Sequence, residues 1–118
     1  MLREYEMVLR AAADRSRARI LKLLEDDELC VCQVVAVLGL GQSTVSKHLS
    51  ILREAGLIED RKEGRWVFYR LGSSGINRYS VSILGLLRTW LNDDEMIAGD
   101  AERLRVIRET PVEEACRP

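Results

Sequence analysis

The stretch Gly41-Gln-Ser-Thr-Val-Ser-Lys-His-Leu-Ser-Ile-Leu-Arg-Glu-Ala-Gly56 decides how the rest of the chain is read. It follows a short Leu38-Gly39-Leu40 corner. Val45, Leu49 and Leu52 recur at the spacing of an amphipathic helix, and Ile51 and Ala55 widen the stripe. The opposite face holds Gln42, Ser43, Ser46, Lys47, Ser50 and Arg53, short donors and positive charges rather than a glutamate-rich surface. A donor-rich helix behind a short apolar helix and a tight turn fits the second helix of a helix-turn-helix. The plainer alternative is a surface helix of a small bundle.

Downstream, Leu57 to Lys62 alternates loosely, Glu63-Gly64 is a turn dipeptide, and Arg65 to Leu71 is rich in strand formers. Two strands joined at Glu63-Gly64 make a hairpin, and a hairpin in this place is a wing. Trp66 and Phe68 are expected to pack inward. Lys62 and Arg65 near the tip are candidate phosphate contacts.

Upstream, Leu2 to Ala13 reads as one helix, and Asp14 caps a second from Arg15 to about Glu25. Beyond the Gly72-Ser-Ser-Gly75 break, Ser73 or Ser74 is expected to cap a helix from Ile76 to about Leu91. That helix carries more apolar surface than one small wing domain needs, so it and the first helix are read as dimer surfaces, with Tyr5, Val8, Leu9, Ile83, Leu87 and Trp90 at the interface. Asp100 is a candidate cap for a last short helix. The domain reading is a winged helix-turn-helix for DNA binding and dimerisation over 1–92, and an acidic extension, helical in part, over 93–118.

At 118 residues with 47% apolar content, the chain has the size of one domain. A formal charge of −1 excludes a histone-like, sequence-blind DNA binder. Distribution matters more than the sum. Gln42 to Leu71 carries six basic residues against four acidic ones, while Asp93 to Pro118 carries eight acidic residues against four arginines. The charged start has no signal-peptide pattern, and no apolar run reaches membrane-spanning length. Three cysteines in such a chain point to a reducing, cytoplasmic setting and to thiols with a task. One histidine without a local partner gives no basis for an enzyme.

The element order, with Gln42-Ser-Thr-Val-Ser-Lys-His-Leu49, Leu52-Arg-Glu-Ala-Gly-Leu57 and Gly64-Arg-Trp-Val-Phe-Tyr-Arg-Leu71, closely resembles the ArsR/SmtB family of bacterial metalloregulatory repressors over roughly 8–91. The resemblance implies a mainly α fold with a β-hairpin, a homodimeric winged helix-turn-helix that leaves double-stranded operator DNA when an inducer binds. It implies that the helix from Gln42 enters the major groove, with Gln42, Ser43, Thr44, Ser46, Lys47 and His48, and Arg53 beyond them, as candidate DNA contacts. The family usually has serine where this chain has Gly41, which still serves as a cap but offers no hydroxyl to phosphate.

Glu28-Leu-Cys30-Val-Cys32 resembles the arsenic-responsive branch of that family. Trivalent arsenic and antimony are soft and prefer thiolates. As(III), an organoarsenical or Sb(III) is therefore the expected inducer, with no constitutive cofactor. Residues two apart in a regular helix do not face each other, so Cys30 and Cys32 can share one atom only if the helix begins near Cys32 or its first turn distorts. The best-known arsenic pattern has a further cysteine where this chain has Val35. Two thiolates with an exogenous ligand, or completion by Cys116, both remain open. Zinc fares worse: it wants four ligands, and the stretch from Ile76 to Leu91 has no His, Asp, Glu or Cys. The competing readings are a repressor sensing thiol redox state or another soft metal, a ligand-independent winged-helix interaction module, and buried cysteines that only pack.

Overall fold

The structure, a computed structural model, describes residues 1–73, 77–111 and 114. Its elements run α1 (Leu2–Ala13), α2 (Arg15–Leu23), β1 (Leu29–Cys30), α3 (Val31–Leu38), α4 (Gln42–Glu54), β2 (Ile58–Glu63), β3 (Trp66–Leu71), α5 (Ser80–Thr89) and α6 (Glu95–Ile107). Helices dominate, and one three-stranded antiparallel sheet in the order β1-β3-β2 forms the wing and its root. Asp14 ends α1 in extended backbone and caps α2, its carboxylate accepting from the Arg17 amide at 3.0 Å.

The core is built from one face of each of the first four helices. Val8 and Ala11 of α1, Ile20 and Leu21 of α2, Val34 and Val37 of α3, and Val45, Leu49 and Leu52 of α4 are buried together with Leu57 and Ile58. The α3–α4 corner depends on Gly39, which sits at φ +70 as the left-handed C-cap of α3 and returns its amide to Val35 at 2.9 Å. A side chain there would be strained, so glycine fixes the angle at which α4 leaves.

The hairpin turns as expected at Glu63-Gly64, where Gly64 adopts φ +61 and Glu63 pairs with Trp66. Its face assignment needs correction. Ile58 pairs with Leu71 and Asp60 with Tyr69, and it is Tyr69 and Leu71 that pack on the core. Strand side chains alternate, so Trp66 and Phe68 lie on the other face. There they carry the guanidinium groups of Arg65 and Arg61 at 4.5 and 4.8 Å from the ring centroids. Arg65 itself stands in the turn, one residue before β3.

At the C-terminal end, Ser74 and Ile76 lie outside the described residues. Tyr79, not Ser73, is the N-cap residue of α5, and the helix ends at Thr89 rather than near Leu91. Lys22 fixes its end: the buried ammonium donates to Leu87 O at 2.7 Å, Asn92 Oδ1 at 2.8 Å and Glu25 Oε2 at 2.9 Å. The cap of α6 is Asp94 rather than Asp100. Asp100 lies inside the helix, 1% exposed, and receives Arg19 of α2 through two bonds of 2.8 and 2.9 Å. A buried carboxylate is tolerable because it is paired this closely. Among the described residues, no helix is long and apolar enough to cross a membrane.

Candidate nucleic-acid interface and cysteine pair

The recognition helix is set by its buried face. Val45, Leu49 and Leu52 are each 0% exposed, which leaves Gln42, Ser43, Thr44, Ser46 and Lys47 in solvent. Gly41 takes extended backbone as N-cap and contributes no side-chain bond, so the first amides of α4 are open to an outside acceptor. His48 does not join that face. It is half-buried, and its Nδ1 lies 3.1 Å from Nη1 of Arg17, which also donates to the carbonyls of Ala11 and Arg10. Arginine has only donors, so Nδ1 accepts and the ring tethers α4 to the α1–α2 corner.

The cations of this region fall into two groups. Arg53 donates to Asp60 at 3.0 Å, Arg70 to Glu59 at 3.2 Å, and Arg61 to Glu28 through Nε at 2.9 Å and through Nη2. Arg53 therefore binds α4 to β2 rather than pointing a free charge outward. Among the described residues, Lys47, Lys62 and Arg65 have no carboxylate partner. They are exposed and unneutralised, which is the state a phosphate contact requires. The bond from Arg61 holds the Glu28 carboxyl below the usual range, and Arg61 is raised in turn.

The cysteine pair sits at a junction of element types. Cys30 ends β1 in extended backbone, φ −86 and ψ 162, and is the N-cap of α3, while Cys32 lies in the first turn. The helix thus begins between them, and the facing problem of a regular helix does not arise. Their Sγ atoms stand 2.9 Å apart, with Cys30 buried and Cys32 half-buried. Gln33 completes this corner: its Oε1 accepts from the Cys30 amide at 3.0 Å, and its own amide faces the Cys30 sulfur in a capping box. Sequence reading passed over Gln33, although a polar residue three positions after a non-helical cap is the signal for such a box. Cys116 lies outside the described residues. Among the described residues, no three His, Cys, Asp or Glu converge to hold a metal ion. Val35 packs against the core.

Of the expected dimer residues, Tyr5 and Trp90 are about half exposed, and Leu9 and Ile83 are partly buried. Val8 and Leu87, at 0 and 7% exposure, are already consumed by the core of one chain and offer no interface area.

Comparison with known proteins gives this arrangement a family. Residues 14–60 match the model of the bacterial regulatory protein arsR family. The arsenic resistance transcriptional regulator ArsR1 of Pseudomonas putida is 37% identical over 106 residues, covering 89% of this chain and 80% of its own length. The arsenical resistance operon repressor of Escherichia coli is 50% identical over 60 residues, 50% of this chain and 51% of that protein. Among solved structures, HlyU from Vibrio cholerae superposes with TM-score 0.62 at 38% identity, over 72% of this chain and 88% of that one. A homodimeric winged helix-turn-helix DNA-binding domain from Mycobacterium bovis gives 0.62 at 29% identity, over 74 and 81%. A winged helix with a donor-rich recognition face, matched along nine-tenths of its length by a regulator of this kind, leads to one conclusion: the chain belongs to the arsR family of bacterial regulatory proteins, which are DNA-binding transcriptional regulators and not enzymes.

Proposed function

We propose that this regulator is a homodimeric repressor that leaves its operator when As(III), an organoarsenical or Sb(III) is bound by Cys30 and Cys32. The observation that carries the reading is the sulfur pair, 2.9 Å apart at the start of α3. With metal–sulfur bonds of about 2.3 Å, two sulfurs on one ion stand roughly 3.3–3.8 Å apart, so the pair needs to open by less than about 1 Å. Cys32 is disulfide-bonded in this structure and enters once a dithiol reductant has opened that bond. Each thiol then gives up its proton as its sulfur replaces a hydroxyl of arsenous acid, which departs as water. An exogenous ligand, the carbon of an organoarsenical, or Cys116 fills the third position. The name of the Pseudomonas putida relative supports arsenic as the signal, and that of the Escherichia coli relative supports repression.

In this reading Gln42, Ser43, Thr44, Ser46 and Lys47 enter the major groove, and Lys62 and Arg65 hold flanking phosphates. Tyr5, Leu9, Ile83 and Trp90 meet a second copy, as the homodimeric Mycobacterium bovis domain suggests. Residues 1–92 form the DNA-binding and dimerising unit, with 93–118 as an extension whose α6 is held by Asp100 and Arg19. The test is release of bound operator DNA titrated with As(III), methylarsenite, Sb(III), Cd(II) and Zn(II). Release by the trivalent arsenicals and Sb(III) at the lowest concentrations is expected, and release by Zn(II) alone contradicts the reading. The same sulfur contact favours one second reading, thiol redox sensing; release by a mild oxidant without any metal would select it.

A further inference from the structure

The cysteine pair touches the wing more directly than it touches the recognition helix. Cys30 is the antiparallel partner of Phe68, and Leu29 of Tyr69, so β1 is one edge of the sheet that carries the hairpin. Two residues before Cys30, Glu28 grips Arg61 of β2 through Nε, at 2.9 and 3.1 Å to its two oxygens, and through Nη2. Arg61 in turn lies over the Phe68 ring at 4.8 Å. Both strands of the wing are thus fastened to the segment that holds the sulfurs.

The route to α4 is longer and stiffer. The pair sits at the first turn of α3, and the eight residues Val31–Leu38 put the helix-turn-helix corner about 12 Å further on. Val34, Val37 and Leu38 of α3 are 0, 2 and 7% exposed. At its far end, Arg103 of α6 donates to Val37 O at 3.2 Å, and the same side chain donates to Asp100, which holds Arg19 of α2. A small opening of the sulfurs therefore meets a braced core on one side. On the other it meets a short ladder and a part-exposed ion pair.

We infer that the wing is the first element displaced when a ligand is bound at Cys30 and Cys32, and that Glu28 and Arg61 are the positioning pair that couples the site to it. The inference rests on the reading of the cysteine pair given above. Opening the pair shifts β1, the Glu28–Arg61 grip turns β2, and Lys62 and Arg65 leave their phosphates before α4 moves. Coupling of this kind is a differential stability of two arrangements, not a push along a wire.

The experiment uses the full chain, its Cys32 disulfide first reduced with a phosphine, and sodium arsenite. Amide hydrogen exchange followed by mass spectrometry compares residues 58–71 with 42–54, while ultraviolet sulfur–arsenic absorption reports binding. The expected result is exchange at least about threefold faster in 58–71, with a smaller change in 42–54. An absorption band with no change in 58–71, or with the change confined to 42–54, overturns this inference and leaves the cysteine site standing. No band at all overturns the site and the inference together. The pair itself is tested by Glu28→Gln on a duplex enriched from a random-sequence pool. Arsenite uptake should be unchanged, while the factor by which arsenite weakens DNA binding falls about three- to tenfold. The exchanged pair Glu28→Arg with Arg61→Glu should restore most of that factor. A factor equal to wild type in Glu28→Gln, or no restoration in the exchanged pair, overturns the role of Glu28 and Arg61.

Discussion

The recognition helix and the wing are neighbours built on opposite terms. Helix α4 is anchored through three core side chains with no exposure, and its outer face carries donors and Lys47, which has no carboxylate partner among the described residues. The wing is held by a ladder, two arginine–aromatic stacks and surface ion pairs that neutralise Arg61 and Arg70. Burial fixes α4 with energies of kilocalories, whereas exposed ion pairs contribute little each. In the proposed function the contrast separates tasks: the helix serves as a rigid reader, and the wing as the part whose position a small chemical change alters.

The comparison breaks most visibly at the core. Leu49→Ala removes a fully buried side chain beneath α4 and should destabilise the fold by about 2–5 kcal/mol in chemical denaturation. A loss below about 1 kcal/mol would mean that α4 is not anchored as described. Next in size is DNA binding. Lys47→Ala should weaken binding across sequences and lower the salt slope by about 1, whereas Arg61→Gln should leave that slope unchanged because Glu28 already neutralises the charge. Equal slopes in the two variants would erase the distinction between free and paired cations.

The smallest effect is on stability against pH. The folded Glu28 carboxyl is held below its ordinary value of 4.5. Its contribution is complete above that value and is lost as the pH falls through the lower, folded one. Because both partners are part exposed, the contribution should stay below about 1 kcal/mol. Glu28→Gln should be less stable than wild type near neutrality by that small amount, and the difference should close in denaturation curves taken from pH 6 to 3. A loss beginning above pH 5 would point to another group.

Much of this was legible in the residues. The extent of α1, the Asp14 cap, the α4 stripe and the Glu63-Gly64 turn follow from local periodicity and capping, which need no distant contact. What escaped depends on partners far along the chain. Strand β1 is two residues long and exists only because β3 lies beside it. The inward face of β3 is set by the Ile58–Leu71 register, which outweighs the size of Trp66 and Phe68. The family resemblance puts His48 among the DNA contacts, and the bond to Arg17 of α2, far away along the chain, is what the local sequence does not show. Val8 and Leu87 share the periodicity of an interface and of a core, and burial within one chain decides between them. At the cysteine pair the residue types were plain, but the helix start at Val31 that lets the sulfurs meet came from the fold.

The most direct test of the central claim is arsenite-driven release of operator DNA by the wild type and by the double variant Cys30→Ser/Cys32→Ser, both first shown to bind the DNA equally. The account predicts that arsenite frees the DNA from the wild type and leaves the double variant bound at every concentration. Release of both at the same arsenite concentration would contradict it.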